Sequence, residues 1–377
     1  LKEEIDKFCD VSIVPSLGTS LAVVDTVKVG SDCTGLGTEL LALRLAKIDH
    51  KAVFGSELHE TTRQIYYGLH GDAMLYFDIF KRPKTQACDL YIAGPPCQTW
   101  STLGTGAGLD DLAGRGLVFY SCLEYIREQR PRAVVLESVS GIRNHFPNEF
   151  RDILTILKTI GYAVSWKILD SRFCGLPQRR PRVYIVGIRS DSISSTFSFP
   201  QDMKVQPKID KFLNMLPAKR FLPQTQTQRR NLEVATKTIS SKGLQGTILV
   251  DLAASARFEN QGVDIAPCIT ATRAKTGGFL IMNQKRMTTT DELGRLQGFP
   301  TWAVDKMLST SANAGDIRFA IGNAMSVNVL VRLLPRVLHS AGLLKAKPRD
   351  IWKHMSSKNA KAFKKLPDDM YGATDGK

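Results

Sequence analysis

Short apolar runs alternate with amphipathic stretches along the first half of this chain. The apolar runs predict strands at residues 26–30, 52–56, 90–94, 133–136, 162–169 and 182–188. Between them, apolar residues recur with helical spacing at residues 40–46, 59–68, 119–130 and 150–160. This alternation is typical of an α/β fold with a doubly wound, mostly parallel Rossmann-like sheet.

The pattern changes after residue 189, where the chain becomes polar and basic. We expect residues 190–263, which include the run QTQTQRR, to form a second, smaller and loop-rich domain. Strand and helix patterns return at residue 264 and end in an amphipathic stretch at residues 316–343. Residues 26–189 and 264–343 are therefore expected to build the main domain, between a lead-in segment at 1–25 and a basic, mobile tail at 344–377.

The charge of the chain favours a polyanionic partner. Its 377 residues include 51 Lys and Arg against 36 Asp and Glu, a net charge of +15. Nucleic acid or an acidic membrane surface would suit this excess, and a merely basic soluble protein fits it equally well. Because we find no apolar run of about 18 residues and no basic-then-apolar leader, we expect neither a membrane span nor secretion.

The seven cysteines form no CxxC pair. They therefore predict neither a bound metal nor a disulfide framework, and they fit a reducing compartment. The chain begins at Leu1, so we expect it to be a processed form or one part of a longer multidomain protein.

A glycine turn follows the first predicted strand. Gly35 and Gly37 precede a helix, which lets a ligand approach the main chain and the helix N-terminus. Glu57 ends the next strand about 20 residues later, where an acidic residue can accept hydrogen bonds from both ribose hydroxyls. Asp78 is expected to bind an adenine amino group in the same manner. These features predict a nucleoside-bearing cofactor, and both NAD and S-adenosylmethionine fit them.

Cys97 lies in a rigid turn at the end of the strand at residues 90–94. A cysteine in such a turn is either a structural residue or an exposed nucleophile. Glu137 ends the strand at residues 133–136 in the same way. A thiolate beside a carboxyl group suits nucleophilic addition to a ring carbon, assisted by a proton at a ring nitrogen, and is a poor match for hydride transfer.

Six sequence blocks resemble those of the cytosine-5 methyltransferases, which transfer a methyl group from S-adenosylmethionine to carbon 5 of cytosine. They occur in the family's order between residues 27 and 334. The blocks are SDCTGLGT, GPPCQTWS, LESVSGI, GLPQRRPRVYIVG, DELGRLQGFP and FAIGNAMSVNVL.

The resemblance implies roles for the predicted catalytic residues. Cys97 would attack carbon 6 of cytosine, and Glu137 would hold a proton at ring nitrogen 3. Arg180 and Arg182 would supply the positive charge that ionises the thiol, and Arg182 would also contact the base. Gln98 begins a glycine-rich loop, residues 98–114, that is expected to close over an extruded nucleotide.

The resemblance also implies which residues hold S-adenosylmethionine. They are Cys33, Thr34, Gly35, Leu36, Gly37, Glu57, Leu58, Asp78, Ile79, Pro96, Val118, Asn323 and Met325. Because Asn323 must return to this pocket, the C-terminal helix is expected to fold back against the first strand, so that both ends of the chain build one domain.

Residues 190–263 would be the target recognition domain. The predicted nucleic-acid contacts are Ser101, Lys219, Arg220, Arg229 and Arg230. Because this region is short, we expect it to read a short site such as CpG, or to depend on other domains. The expected partner is duplex DNA, bound by a monomer in the nucleus of a eukaryote or in the cytoplasm otherwise.

Several positions depart from the family pattern. Ser138 replaces an asparagine, Cys33 a phenylalanine and Thr38 a glycine, and the block DELGRLQGFP lacks its usual arginine near the start. We expect activity to persist, with weaker cofactor binding or dependence on a partner.

Two alternatives stay open. One is a tRNA cytosine-5 methyltransferase of the family's RNA branch, although the chain lacks that branch's CFT and PPCQPFT motifs. The other is a catalytically quiet nucleic-acid-binding paralogue, which the changes at Ser138 and Cys33 suggest.

Overall fold

A computed structural model describes residues 23–71, 73–96, 117–204, 206–216, 221–254 and 260–346. Its strands are β1 Val27–Asp32, β2 His50–Ser56, β3 Leu75–Tyr76, β4 Leu90–Ala93, β5 Ala133–Val139, β6 Tyr162–Asp170, β7 Pro181–Arg189, β8 Ile248–Val250, β9 Gln261–Val263, β10 Leu280–Ile281 and β11 Arg286–Met287. Its α-helices are α1 Thr38–Leu45, α2 Glu60–His70, α3 Leu117–Gln129, α4 Gly141–His145, α5 Pro147–Thr159, α6 Gln226–Ser241, α7 Ala271–Lys275, α8 Thr290–Gln297, α9 Thr301–Leu308, α10 Ala314–Asn323 and α11 Val327–Ser340.

Seven strands form the large sheet in the order β3-β2-β1-β4-β5-β7-β6. The first five pair in parallel, whereas β7 runs antiparallel to both β5 and β6. β4 and most of β5 are buried, because helices cover both faces of the sheet. This arrangement confirms the predicted doubly wound, mostly parallel α/β fold.

Two apolar clusters lie on the faces of the large sheet. One cluster includes α1, α2 and the helices α8 to α11, and the other includes α3 and α5. The predicted amphipathic stretch at residues 316–343 is two helices, α10 and α11, because the backbone is extended at Ala324 and the chain bends by 42°. α11 packs against α1, so the end of the described chain joins the helix that follows β1.

A small antiparallel sheet has the order β11-β10-β8-β9. Helix α6 packs on it through Ala235, beside Ile248 and Val250. Two of its strands precede residue 264 and two follow it, so the sheet continues past the end of the predicted small domain. The predicted division into domains stays a prediction.

Helix α6 differs from the expected loop-rich structure of this region. Thr225 and Gln228 form a capping box at its start, which satisfies backbone donors that would otherwise lack partners. The fully buried residues of α6 are Asn231 and Ala235, and Leu232 and Ile239 are half-buried against the small sheet, so its apolar stripe is short.

Among the described residues, no single helix is long and apolar enough to cross a membrane. The pair α10 and α11 meets the criterion jointly, on length and composition alone.

Candidate active site

The turn between β1 and α1 holds three residues in the left-handed backbone region. They are Cys33, Gly35 and Gly37, with φ of 53°, 56° and 62°. A Cβ atom on Gly37 would lie 2.6 Å from Nε2 of His70, so this position requires glycine. A Cβ atom on Gly35 would meet no described atom within 4 Å. The backbone at Gly35 is therefore open to the close approach of a ligand.

Glu57 follows β2 and anchors this turn. Its Oε2 accepts a hydrogen bond from the backbone N of Gly35 at 3.0 Å, and its Oε1 accepts one from the backbone N of His59 at 2.8 Å. Burial raises the pKa of Glu57, and the two backbone donors partly offset this effect. Because a carboxylate has about four acceptor positions, both oxygens retain capacity for a pair of hydroxyl groups.

The other predicted cofactor residues near the turn differ in exposure. Asp78 is half-buried and its Oδ1 accepts a hydrogen bond from the backbone N of Phe80 at 2.9 Å, whereas Ile79 is buried and Leu58 is 73% exposed. The Thr34 hydroxyl donates to Glu39 at 2.6 Å. The side chain of Thr34 is therefore bonded within the protein, while that of Leu58 is open to solvent.

Leu36, Val118 and Pro96 also lie near the ends of the first strands. Leu36 is buried in the apolar cluster beneath α1. Val118 is buried in the same cluster as Ile79, and Pro96 is half-buried after β4. Leu36 and Val118 therefore contribute to the core.

The C-terminal helices reach the same end of the sheet. A Cβ atom on Gly94 would lie 2.9 Å from Cε of Met325 and 3.9 Å from Oε2 of Glu137. Asn323 is exposed at the end of α10. In the same helix, the ring of Phe319 lies 5.2 Å from that of His59, close to Glu57. Met325 thus meets the strand ends, and α10 borders the turn.

Glu137 is a buried carboxyl group near the end of β5. Its Oε1 lies 3.3 Å from Nε of Arg182 on the neighbouring strand β7. Burial raises the pKa of Glu137, and the charges of Arg182 and Arg180 offset only part of this rise. The carboxyl group therefore holds a proton to a higher pH than an exposed glutamate.

Arg180 precedes β7 and has a different environment from Arg182. Its guanidinium donates to the carbonyl oxygens of Ile269 at 2.5 Å, Ala324 at 2.9 Å and Gly322 at 3.3 Å. Arg180 thus fixes the segment before α7 and the link between α10 and α11. Its contacts support a bracing role beside its predicted charge effect.

Sequence reasoning missed Gln178 and Cys268. The Gln178 amide is buried; it donates to Gln297 at 2.8 Å and accepts from the backbone N of Ile269 at 3.1 Å. The Sγ of Cys268 lies 3.7 Å from Nη1 of Arg180 and 3.8 Å from Nη2 of Arg182. Gln178 could have been found from its place in the QRRPR run, whereas no local signal indicated Cys268.

Several predicted site residues lie outside the described part of the chain. They are Cys97, Gln98, Ser101, Lys219 and Arg220. Arg229 and Arg230 are described, and both are exposed on α6. Within the described residues, no group of three or more His, Cys, Asp and Glu could hold a metal ion.

Comparisons with known proteins identify the family of this chain. A family model for the C-5 cytosine-specific DNA methylases matches residues 28–339. The chain is 30% identical over 287 residues to the type II methyltransferase M.NgoBI of Neisseria gonorrhoeae, which covers 74% of this chain and 83% of that protein. It is 29% identical over 335 residues to M.HpaII of Haemophilus parainfluenzae, covering 82% and 88% of the two chains.

The fold is also similar to that of solved methyltransferases. The crystal structure of the S. pombe Dnmt2 methyltransferase superposes with a TM-score of 0.57 at 17% identity, covering 83% of this chain and 98% of that one. At this identity the likeness concerns the fold.

The chain belongs to the C-5 cytosine-specific DNA methylase family. This confirms the resemblance found in its sequence blocks and the predicted enzyme class, a DNA (cytosine-5)-methyltransferase.

Proposed function

We propose that the protein transfers a methyl group from S-adenosylmethionine to carbon 5 of cytosine in DNA through a covalent bond between Cys97 and the ring. The observation that carries this proposal is the position of Glu137. Its Oε2 lies 3.9 Å from the Cβ position of Gly94, three residues before Cys97 in the sequence. The strand that leads to the proposed nucleophile therefore ends beside a carboxyl group whose pKa is raised by burial.

The turn fits the proposed cofactor. The open backbone at Gly35 admits a ligand, and the carboxylate of Glu57 retains acceptor positions for two ribose hydroxyls. Asp78 is half-buried shortly after β3, and its carboxylate retains acceptor positions for an adenine amino group. When bound, S-adenosylmethionine supplies an electrophilic methyl group on its sulfonium sulfur.

The chain's own residues activate the base. The Cys97 thiolate adds to carbon 6 while Glu137 holds a proton at ring nitrogen 3, so the electron pair of the 5,6 double bond becomes available at carbon 5. After carbon 5 has accepted the methyl group, loss of its proton restores the double bond and expels the thiolate. Arg182 orients the Glu137 carboxyl through its contact at 3.3 Å.

The substrate base must leave the duplex to reach these groups. Extrusion costs a few kcal/mol, and the loop that we expect to close over the extruded nucleotide, residues 98–114, lies outside the described residues. The net charge of +15 attracts the phosphate backbone, and Arg229 and Arg230 are exposed on α6 for phosphate contacts.

Radiolabelled methyl transfer to duplex DNA and to tRNA tests this proposal. We expect label in DNA with the native protein and none with Cys97→Ser. Label in tRNA alone would favour the RNA branch of the family. Nucleic-acid binding without transfer to either substrate would favour a quiet paralogue.

A further inference from the structure

Cys268 contacts the two arginines that flank Glu137. It lies between β9 and α7 and is half-buried. Its Sγ is 3.7 Å from Nη1 of Arg180 and 3.8 Å from Nη2 of Arg182. Because Nε of Arg182 lies 3.3 Å from Oε1 of Glu137, one guanidinium contacts the carboxyl through Nε and the thiol through Nη2.

The environment of Cys268 differs from that of the other described cysteines. Burial raises the pKa of the thiols of Cys33, Cys88, Cys122 and Cys174. Burial also acts on Cys268, but the positive charges of Arg182 and Arg180, with a smaller effect of Arg273, lower the pKa of its thiol. Cys268 is therefore a thiol whose ionised form is stabilised by the same cations that act on Glu137.

Cys268 and Glu137 each lie close to several charged groups. Arg180, Arg182 and Arg273 are the cations that face Cys268, and Arg273 is already paired with Asp251 at 2.5 Å. The charged or titratable groups that face Glu137 are Arg182, Arg180 and Tyr184, the last in register with it on β7.

The charges of Arg180 and Arg182 favour the ionised form of Glu137. A thiolate at Cys268 offsets part of that positive charge. When the thiol ionises at a lower pH than the carboxyl, Glu137 therefore keeps its proton to a higher pH.

We propose that Cys268, held as a thiolate by Arg180 and Arg182, is a positioning residue that keeps Glu137 protonated. The inference rests on the proposed function, because that function assigns Glu137 the proton at ring nitrogen 3. Cys268 acts on the reaction only through Glu137.

The thiolate is tested by alkylation of the full chain with iodoacetamide across a pH series, followed by mass spectrometry of the peptide that contains Cys268. We expect half-maximal reactivity at a pH below the midpoint of the Glu137 carboxyl titration, and a shift to higher pH in Arg182→Gln. A half-maximum above that midpoint in the native protein would overturn the inference.

The effect on Glu137 is tested by titration of its carboxyl in protein labelled with ¹³C-glutamate, with Glu137→Gln to assign the signal. We expect the midpoint for Glu137 to fall in Cys268→Ser and to return toward the native value in Cys268→Asp, which restores an anion. Coincident titrations of the native and Cys268→Ser proteins would overturn the inference.

The pH profile of methyl transfer adds a readout that a merely structural role would not give. In Cys268→Ser the alkaline decline of kcat should move to lower pH, and Cys268→Asp should move it back. A uniform loss of kcat at every pH would contradict the inference. Because the carboxyl titration needs no turnover, failure of methyl transfer in the native protein would count against the proposed function alone.

Discussion

Glu137 on β5 and Arg182 on β7 meet across two antiparallel strands, with Oε1 and Nε 3.3 Å apart. The arginine is in register with Val139, two residues along from Glu137, so both side chains lie on the same face of the sheet. The contact orients the carboxyl group, while burial still raises its pKa. Together these effects give a carboxyl that is held in place and can retain its proton.

Glu137→Gln removes this proton and keeps the size of the side chain. Because general acid–base groups contribute roughly 10²- to 10⁴-fold to rates, we expect kcat to fall within that range while the Kd of the cofactor stays unchanged. Steady-state kinetics and calorimetry measure the two quantities. A variant with the native kcat would show that Glu137 is not the proton-holding group.

The native enzyme should also show an alkaline decline in kcat. A raised pKa means that Glu137 stays protonated above about 4.3, the ordinary value for glutamate, and loses its proton as the pH rises through the raised pKa. Since the proposed chemistry needs the protonated form, kcat falls in that window. Glu137→Gln should lack this decline, and a decline that persists unchanged would contradict the assignment.

Glu57→Gln tests the cofactor site. The amide keeps one acceptor oxygen and loses the charge, and hydrogen bonds to charged groups contribute about 1.5–3 kcal/mol. We expect the Kd for S-adenosylmethionine, measured by calorimetry, to rise roughly 10- to 100-fold. Glu60→Gln is the matched control, because Glu60 is exposed at the start of α2. Equal Kd values for the two variants would contradict the role of Glu57.

Asp32 and Arg82 form a buried ion pair beneath the glycine turn. Nε of Arg82 donates to Oδ1 of Asp32 at 2.7 Å, and its guanidinium lies 4.4 Å from the ring centre of Phe54 and 4.5 Å from that of Tyr125. Arg82→Met leaves the Asp32 charge buried without its partner. We expect the free energy of unfolding in urea to fall by about 3–5 kcal/mol.

The double variant Asp32→Asn, Arg82→Met removes both charges and keeps an amide group that can hydrogen-bond to the hydroxyls of Ser56 and Tyr91, so it should recover most of that loss. Lys81→Met, at an exposed neighbouring position, is the control and should leave the stability close to that of the native protein. If the single Arg82 variant were as stable as the double variant, burial of the Asp32 charge without Arg82 would not be what lowers the free energy of unfolding.

Arg229 and Arg230 on α6 are predicted to bind phosphates. Removing one of these two cations should lower the slope of log K against log salt by about 0.9 and weaken binding to all DNA sequences alike. Fluorescence anisotropy over a salt series measures this slope for Arg229→Ala and Arg230→Ala. Lys158→Ala, at an exposed position on α5, serves as the control. Unchanged slopes in both arginine variants would show that neither Arg229 nor Arg230 contacts the DNA phosphates.

The parts of the fold that could be read from the sequence are those where one short segment carries the signal. The apolar runs of β4 and β5 predict buried strands, and Glu57 and Glu137 follow such runs directly. The position of β7 between β5 and β6 could not be read, because an antiparallel strand has the same apolar pattern as a parallel one. Helix α6 was missed because it buries Asn231 and Ala235 against a separate small sheet.

The residues of the candidate site also divide into those that one short segment predicts and those that only the tertiary fold brings together. The turn at Gly35 and its carboxylate Glu57 belong to one strand–helix–strand unit, so local spacing predicts them. Cys268 is 88 residues from Arg180 along the chain, and only the tertiary fold brings the two together. The effect of Ser138 cannot be read from the sequence either. Its buried hydroxyl has no hydrogen-bond partner among the described residues, and its effect on the loop that contains Cys97 stays a prediction.

The central claim is that Cys97 forms a covalent bond to the cytosine ring, and trapping on duplex DNA that contains 5-fluorocytosine tests it most directly. With S-adenosylmethionine present, fluorine at carbon 5 blocks the final elimination. We predict a denaturant-resistant protein–DNA adduct whose mass maps to the peptide containing Cys97, and no adduct with Cys97→Ser. Methyl transfer to normal DNA without any adduct, or an adduct on another residue, would contradict the account.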